Sequence, residues 1–420
     1  MEKQRIEIMA PVGSYESLYA SIQGGATSVY FGVGQLNMRA HSSNNFTLED
    51  ISKIVNIAKD NGVRTYVTIN TIVFDEEMEK LYRLIDTIKE CGASAIIASD
   101  ISVIQYAFNH DVEVHISTQL NITNIEAVKF YAHYADVMVL AREMTMDKVK
   151  KIHDQIIEQD ICGPKGERIK LEMFVHGALC MAVSGKCYMS LHEMNASANR
   201  GNCMQICRRS YIVKDRDTGE ELAIDNEYIM SPKDLKTIHF LNKILDSGVS
   251  ILKIEGRARS AEYVKTVVKC YSEAVMACQD NNFTEEKIKD WNKRLSSVFN
   301  RGFWNGYYLG QRLGEWSKNY GSSATEHKVY IGRGTNYFSK LQVAEFKMET
   351  GNLCVGDRIM IIGPTTGVIE KTVKGIRVDL KIVDETKKGD SFSLFIEEKI
   401  RKSDKLYKIV KSEKKSFFNP

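Results

Sequence analysis

Four cysteines lie close together near the middle of this 420-residue chain, and their thiolates could hold a soft metal. They are Cys180, Cys187, Cys203 and Cys207, separated by six, fifteen and three residues. Zinc ribbons usually carry two close cysteine pairs, and here only the second pair is close. Four thiolates without a histidine suit an iron–sulfur cluster or a zinc ion and exclude ions that prefer oxygen ligands. The spacing favours the cluster, with structural zinc or unrelated buried thiols as alternatives.

Polar side chains also follow several short apolar segments that read as strands. Alternation along residues 251–257 places Lys253, Glu255 and Arg257 on one face of such a strand. Guanidinium groups bind carboxylates through two parallel hydrogen bonds, so these cations predict a site for a small dicarboxylate. The candidate substrate-binding residues are Arg39, Asn70, Gln119, Arg142, Lys253 and Arg257.

Three residues are candidates for proton transfer, namely Glu143, Glu255 and His176. A structural alternative is open for each. Glu143 and Glu255 could belong to a salt-bridge network with Arg142 and Lys253, and His176 could be a hydrogen-bonded histidine of the core.

The scaffold around these residues alternates short apolar runs with amphipathic segments. Several runs are apolar almost throughout, as expected for strands that are covered on both faces. The eight runs span 7–13, 28–33, 64–70, 94–99, 112–118, 137–143, 171–177 and 251–257. Eight strands with helices between them predict a TIM-like (β/α)8 barrel, whose catalytic face lies at the carboxyl ends of the strands. A doubly wound sheet is the alternative, although no glycine fingerprint for phosphate follows the first strand.

The alternation is interrupted once, between strands seven and eight, and the cysteines fill the gap. We therefore expect a barrel over residues 1–280 that includes a cysteine-rich insertion at 177–230. A helix is predicted over 231–248, with Ser231 as its N-cap. A helical and aromatic connector at 281–325 and a small β-barrel domain at 326–410 complete the chain.

Charge is distributed unevenly along the chain. Residues 1–320 carry a net charge of −3, whereas residues 321–420 carry +6. A basic module is compatible with a phosphate-bearing partner, although a solvated lysine-rich face explains it equally well. The N-terminus lacks an apolar signal segment, no apolar run is long enough to cross a membrane, and the nine cysteines suit a reducing cytoplasm.

Common protease motifs are absent from the sequence. There is no G-x-S-x-G elbow, and the only H-E pair, at residues 192–193, lacks the second histidine of a zinc protease helix. These absences weigh against ordinary protease mechanisms.

The segment EMFVHGALCMAVSGKCYMS at residues 172–190 resembles the signature of the U32 peptidase family, the collagenase-like proteins. Further segments resemble the family at 117–124, 141–146, 199–211, 231–235 and 252–264. One departure is AREMTM at 141–146, where the family usually has a leucine after the glutamate.

The resemblance implies two different activities. The family's name comes from collagenolytic activity, which leaves a peptidase with structural zinc as an alternative. Other members take part in oxygen-independent hydroxylation and hold a 4Fe–4S cluster on cysteines that match Cys180, Cys187, Cys203 and Cys207. The members that use prephenate to hydroxylate the wobble uridine of tRNA are most similar in length and in the extra C-terminal domain. Hydroxylation of ribosomal RNA and a non-catalytic RNA-binding role are further alternatives, and the resemblance identifies no electron donor.

Overall fold

The structure, a computed structural model, describes residues 5–41, 45–209, 216–219, 231–311, 314–317 and 321–412. Its first sheet has ten strands: β1 Glu7–Pro11, β2 Ser28–Gly32, β3 Arg64–Ile69, β4 Ala95–Ala98, β5 Val114–Ile116, β6 Val137–Val139, β7 Lys170–Gly177, β8 Asp234–Lys236, β9 Val249–Ile254 and β10 Phe303–Trp304. Strands β1 to β7 and β9 pair in parallel, and β9 pairs with both β7 and β1. The barrel is therefore closed, which confirms the predicted (β/α)8 architecture.

Helices connect the strands and cover the barrel. They are α1 Tyr15–Gly24, α2 Leu48–Asp60, α3 Met78–Glu90, α4 Ile101–Asn109, α5 Ile125–Ala132, α6 Met146–Glu158, α7 Met189–Met194, α8 Leu241–Asp246, α9 Ala261–Gln279 and α10 Glu285–Ser297. In α2, a capping box between Thr47 and Asp50 fixes the first turn, and Ile51, Ile54, Val55 and Ala58 are buried. None of the helices in these described ranges is long and apolar enough to cross a bilayer.

The helix predicted over 231–248 is wrong in its first half. Residues Asp234–Lys236 form β8, which pairs antiparallel with β7 and parallel with β10. The Asp234 carboxylate accepts a hydrogen bond from the backbone amide of Arg301, 3.2 Å away, instead of capping its own helix. Tertiary pairing thus overrides a local capping signal, and only Leu241–Asp246 is α-helical.

The C-terminal residues form a second unit built from antiparallel strands. These are β11 Glu326–Phe338, β12 Val343–Met348, β13 Leu353–Cys354, β14 Arg358–Gly363, β15 Gly367–Thr372, β16 Ile376–Val378, β17 Lys381–Val383, β18 Glu385–Thr386, β19 Ser391–Phe395 and β20 Lys405–Lys411. Eight of them make one sheet around a shared apolar core, with β15 and β17 at its edges. The sequence predicted a small β-barrel; within the described residues the two edge strands are not paired with each other.

The second unit packs against the side of the barrel. The side-chain amide of Gln23 on α1 donates to the Thr366 carbonyl at 2.9 Å and accepts from the Val368 amide at 3.0 Å. Lys265 on α9 donates to the Val368 carbonyl at 2.6 Å. Polar side chains of the barrel helices thus satisfy backbone groups at the β15 edge, which would otherwise be open to pairing.

Candidate active site

A cavity opens at the carboxyl ends of the barrel strands, and the cysteine segment covers it. Its lining includes all four clustered cysteines and all six predicted substrate-binding residues, together with Glu255: Arg39, Asn70, Gln119, Arg142, Cys180, Cys187, Cys203, Cys207, Lys253, Glu255 and Arg257. Residues that are far apart in the sequence therefore meet at the face where barrel enzymes hold their active sites.

The cysteine segment leaves the barrel at Gly177, the last residue of β7. Its backbone has φ of +106°, and a β-carbon at this position would lie 2.5 Å from the Glu255 carbonyl oxygen. Only glycine fits this turn without displacement of the neighbouring chain. The turn directs Cys180 over the barrel mouth.

Arg208 fastens the end of the same segment. Its guanidinium donates to the Pro232 carbonyl at 3.0 Å, to the Ser231 hydroxyl at 3.1 Å and to the Leu179 carbonyl. The residue follows Cys207 directly and also lines the cavity. This role could not be predicted from the sequence, because the partners of Arg208 are backbone and hydroxyl groups without a sequence signature.

The four thiols affect one another electrostatically. Burial and the neighbouring cysteines raise the pKa of Cys207 and Cys187, although Arg208 lowers that of Cys207. Among the described residues, no three cysteine, histidine or carboxylate side chains converge closely enough for a single metal ion. All four thiols line the same cavity.

Glu255 and Arg39 form an ion pair at the cavity wall, with Arg39 Nη2 3.0 Å from Glu255 Oε1. The Tyr30 hydroxyl donates to the other carboxylate oxygen at 3.3 Å. Burial raises the pKa of Glu255, but Arg39, Arg142 and Arg257 outweigh it, and the pKa lies below its ordinary value. The carboxylate is therefore ionised at neutral pH.

Arg257 is buried in the cavity wall with neutral partners only. Its Nη1 donates to Asn37 Oδ1 at 3.0 Å and to Thr68 Oγ1 at 2.9 Å. Burial lowers its pKa to about 10, so it stays cationic at neutral pH. No carboxylate of the described chain lies within ion-pair distance of it. Glu255 is close enough to interact with it electrostatically but makes no direct ion pair with it, so the guanidinium is available to an anionic ligand.

Arg142 is half-buried and also makes no direct ion pair among the described residues. Its guanidinium lies 4.0 Å from the centre of the Phe174 ring and donates to the Ala178 carbonyl at 3.1 Å. The buried Nε atom has no hydrogen-bond partner among the described residues. The salt-bridge network considered for Arg142, Glu143, Lys253 and Glu255 does not form, because Lys253 pairs with Glu172 and Glu255 with Arg39.

Asn70 and Gln119 are held by a local network beside these cations. The Asn70 side chain accepts from the Met38 amide at 3.2 Å and donates to the Ser117 hydroxyl at 3.3 Å. Gln119 donates to the Asn70 carbonyl at 3.2 Å, and Ser117 bonds to Gln119. Both amides are thus fixed in position at the rim of the cavity.

Two predicted catalytic residues do not reach the cavity. Glu143 is exposed after β6, and His176 is buried with its Nδ1 3.4 Å from the Tyr271 hydroxyl. Burial, with Lys236 and Arg259 nearby, lowers the pKa of His176 to about 3, so its ring is neutral. Phe174 lines the cavity, whereas a register shift in the β7–β9 pairing between Phe174 and His176 turns His176 toward Tyr271 on α9 and Phe303.

Comparisons with known proteins place this site in a family. The model of Peptidase family U32 matches residues 13–318. A protein named collagenase from Porphyromonas gingivalis is 58% identical over 413 residues, which cover 98% of this chain and 100% of that protein. A tRNA hydroxylation protein of Bacillus subtilis is 31% identical over 385 residues, 88% of this chain and 86% of that protein.

A third relative is an enzyme of ribosomal RNA. The 23S rRNA 5-hydroxycytidine synthase of Escherichia coli is 34% identical over 278 residues, which cover 66% of this chain and 40% of that enzyme. The family match includes every residue that lines the cavity. The chain belongs to peptidase family U32.

Proposed function

We propose that this protein is an RNA hydroxylation enzyme that forms 5-hydroxyuridine at the wobble position of tRNA without molecular oxygen. Its cosubstrate would be prephenate or a similar small dicarboxylate. The observation that carries the proposal is the pair of cations without carboxylate partners, Arg142 and Arg257, in the cavity that the four cysteines line. Two guanidinium groups beside one space match the two carboxylates of such a ligand. Relatives named for tRNA and rRNA hydroxylation support an RNA substrate.

Cys180, Cys187, Cys203 and Cys207 would hold a 4Fe–4S cluster. All four thiols line one cavity, as the ligands of one cluster would, and the spacing of the cysteines favours a cluster over a zinc ion. When bound, the cluster would supply electron transfer. The protein's own groups bind and orient: Arg142 and Arg257 hold the anion, and Asn70 and Gln119 offer amides at the rim.

Glu255 has a defined place in this arrangement. Its carboxylate is ionised and bonded to Arg39 and Tyr30, so it accepts hydrogen bonds at the cavity wall. Its lowered pKa makes it a weak base, and its main effect is to orient Arg39. Proton supply must then come from another group that lines the cavity.

The C-terminal sheet would dock the RNA. Residues 321–420 carry a net charge of +6, and contacts with phosphate groups favour such a surface. Binding of tRNA that weakens as salt rises, and weakens further on removal of sheet lysines, would support this role.

A peptidase is the second candidate, because the relative at 58% identity is named collagenase. The cavity does not favour it. Cysteine peptidases need a histidine beside the nucleophile, and the described lining of the cavity contains none.

The test is nucleoside mass spectrometry of tRNA from a strain without this gene and without paralogues. Loss of 5-hydroxyuridine-derived nucleosides, restored by the wild-type gene but not by Cys203→Ala, is the expected result. Unchanged nucleosides contradict the tRNA assignment. Anaerobically purified protein should absorb broadly near 400 nm and contain iron and sulfide, whereas a colourless zinc protein that degrades gelatin would establish the peptidase.

A further inference from the structure

A chain of buried charged side chains descends from the cavity into the barrel. Lys253 Nζ, at the cavity floor, is 2.6 Å from Glu172 Oε1. The second oxygen of Glu172 is 3.4 Å from His115 Nδ1, and His115 Nε2 is 3.2 Å from Glu113 Oε1. Lys253 is 4% exposed, and both Glu172 and His115 are fully buried. Each link joins groups that can exchange a proton.

Two cations hold Glu113, the last side chain of this buried series. Glu113 accepts from Arg64 at 2.9 Å and from Lys165, whose side chain is half exposed at the opposite end of the barrel. Although burial raises the pKa of Glu113, His115, Lys165 and Arg64 lower it far below its usual range. Glu113 therefore stays a carboxylate and does not pass protons on.

His115 is held in its charged form by its surroundings. Both ring nitrogens face a carboxylate, and a carboxylate only accepts, so both nitrogens must carry hydrogen. Burial lowers the pKa of His115, but Glu113 and Glu172 raise it above the ordinary value.

Few other polar groups approach the His115 ring. The Tyr66 ring packs 4.5 Å from it, and the Tyr66 hydroxyl donates to Glu7, not to His115. The Asp136 carboxylate lies near Glu113 and Lys165, and its pKa is raised by burial. The charge on His115 therefore depends mainly on the two glutamates.

We infer that His115 stores one proton for Lys253, which donates protons to the ligand bound in the cavity. Glu172 is the relay between them. The inference rests on the proposed function only for the identity of the ligand. Among the described residues, Lys253 alone both lines the cavity and bonds to the glutamate beside the buried histidine.

The proposed transfer balances in three steps. The Lys253 ammonium gives a proton to a basic ligand atom, and the nitrogen keeps the electron pair. The ionised Glu172 then takes the Nδ1 proton of His115 on Oε2, its carboxyl group rotates, and the proton passes to the neutral Lys253 amine. His115 is left neutral, with hydrogen on Nε2 bonded to Glu113. Once the product has left, a proton from solvent water returns to His115 through Lys253 and Glu172, because Glu113 blocks supply from the far end.

The first test needs no activity. In protein labelled with ¹⁵N-histidine, a His115→Gln variant assigns the His115 signal. We expect both ring nitrogens to be protonated at pH 7.5, and the titration midpoint to fall in Glu172→Gln and Glu113→Gln. Tyr66→Phe, which leaves Glu172 and Glu113 in place beside His115, should leave the titration midpoint unchanged. A neutral ring at pH 6 in the wild-type protein overturns the inference.

The second test separates relay from support. Glu172→Gln still accepts a hydrogen bond from Lys253 but cannot carry its proton. We expect kcat for tRNA hydroxylation to fall about 10- to 100-fold, while KM for prephenate changes less than about threefold. The pH at which the rate declines on the alkaline side should also shift. A changed KM with an unchanged pH profile would show a structural role only. Absence of hydroxylation by the wild-type protein would contradict the proposed function, while the NMR result still decides whether the store exists.

Discussion

At the scale of single residues, the absence of a partner is as informative as its presence. Arg39 and Lys253 each have a carboxylate at ion-pair distance, whereas Arg257 bonds to an amide and a hydroxyl. A buried guanidinium is costly to leave without a counterion, so the fold holds Arg257 ready for a ligand's negative charge. The presence or absence of a direct ion pair thus distinguishes the cations that stabilise the cavity wall from those that can bind a ligand.

Arg257 is the residue on which this reasoning can be checked. We expect Arg257→Lys to raise KM for prephenate about tenfold or more, because an ammonium cannot replace the two-pronged guanidinium, and to change kcat less. Steady-state kinetics with purified protein measure both. The control is Lys236→Arg, which exchanges the same two residue types at a position that does not line the cavity. Equal effects of the two substitutions would contradict a specific anion site at Arg257.

His176 gives a prediction about stability and pH. Its folded pKa is about 3, well below the value near 6.5 expected in the unfolded chain. As pH falls from 6.5 toward 3, the unfolded state binds a proton that the folded state does not, so the free energy of unfolding drops. The contribution of His176 is up to about 1.4 kcal/mol per pH unit. Chemical denaturation of His176→Gln should show a flatter decline than the wild type; an equally steep decline would mean that the buried ring is not neutral.

At the scale of elements, an irregularity in β7 lets one strand serve separate tasks. Glu172 and Phe174 face the barrel interior and the cavity, the register shift after Phe174 turns His176 toward α9, and Gly177 turns the chain into the cysteine segment. We expect Gly177→Ala to displace that turn by steric conflict with the Glu255 carbonyl. Iron content per protein should fall, while circular dichroism of the barrel helices changes little. Full iron content in Gly177→Ala would show that the turn tolerates a side chain.

Sequence patterns predicted the elements whose structure is determined by local residues and not by pairing with distant parts of the chain. The barrel strands followed from nearly continuous apolar runs, and the lining of the cavity followed from polar residues at the ends of those runs. The helix at 231–248 was wrong because Asp234 bonds to Arg301, which lies 67 positions further along the chain. The pairing of Lys253 with Glu172 was missed for the same reason, although a lone glutamate inside the apolar run 171–177 was a usable signal.

At the scale of the whole molecule, the C-terminal sheet is joined to the barrel by an apolar cluster that includes Ala20, Met360 and Val368, by the Lys328–Glu262 ion pair and by side-chain hydrogen bonds to its backbone. Gln23 supplies two of them, to Thr366 and Val368. We expect Gln23→Ala to cost about 1 kcal/mol, because Val368 loses the acceptor of its amide hydrogen. Differential scanning calorimetry should show the C-terminal sheet unfolding at a lower temperature. A thermogram identical to the wild type would mean that apolar packing alone holds the two units together.

The covering of the cavity by the cysteine segment has a practical consequence. If the four thiols share one cluster, that cluster also holds in place the single segment of chain that covers the cavity. Exposure to air would then do more than stop turnover. Loss of iron would release the cysteine segment from the cavity and expose its backbone to proteases. Brief trypsin treatment of aerated protein should cut near Lys186 while the barrel beneath stays intact.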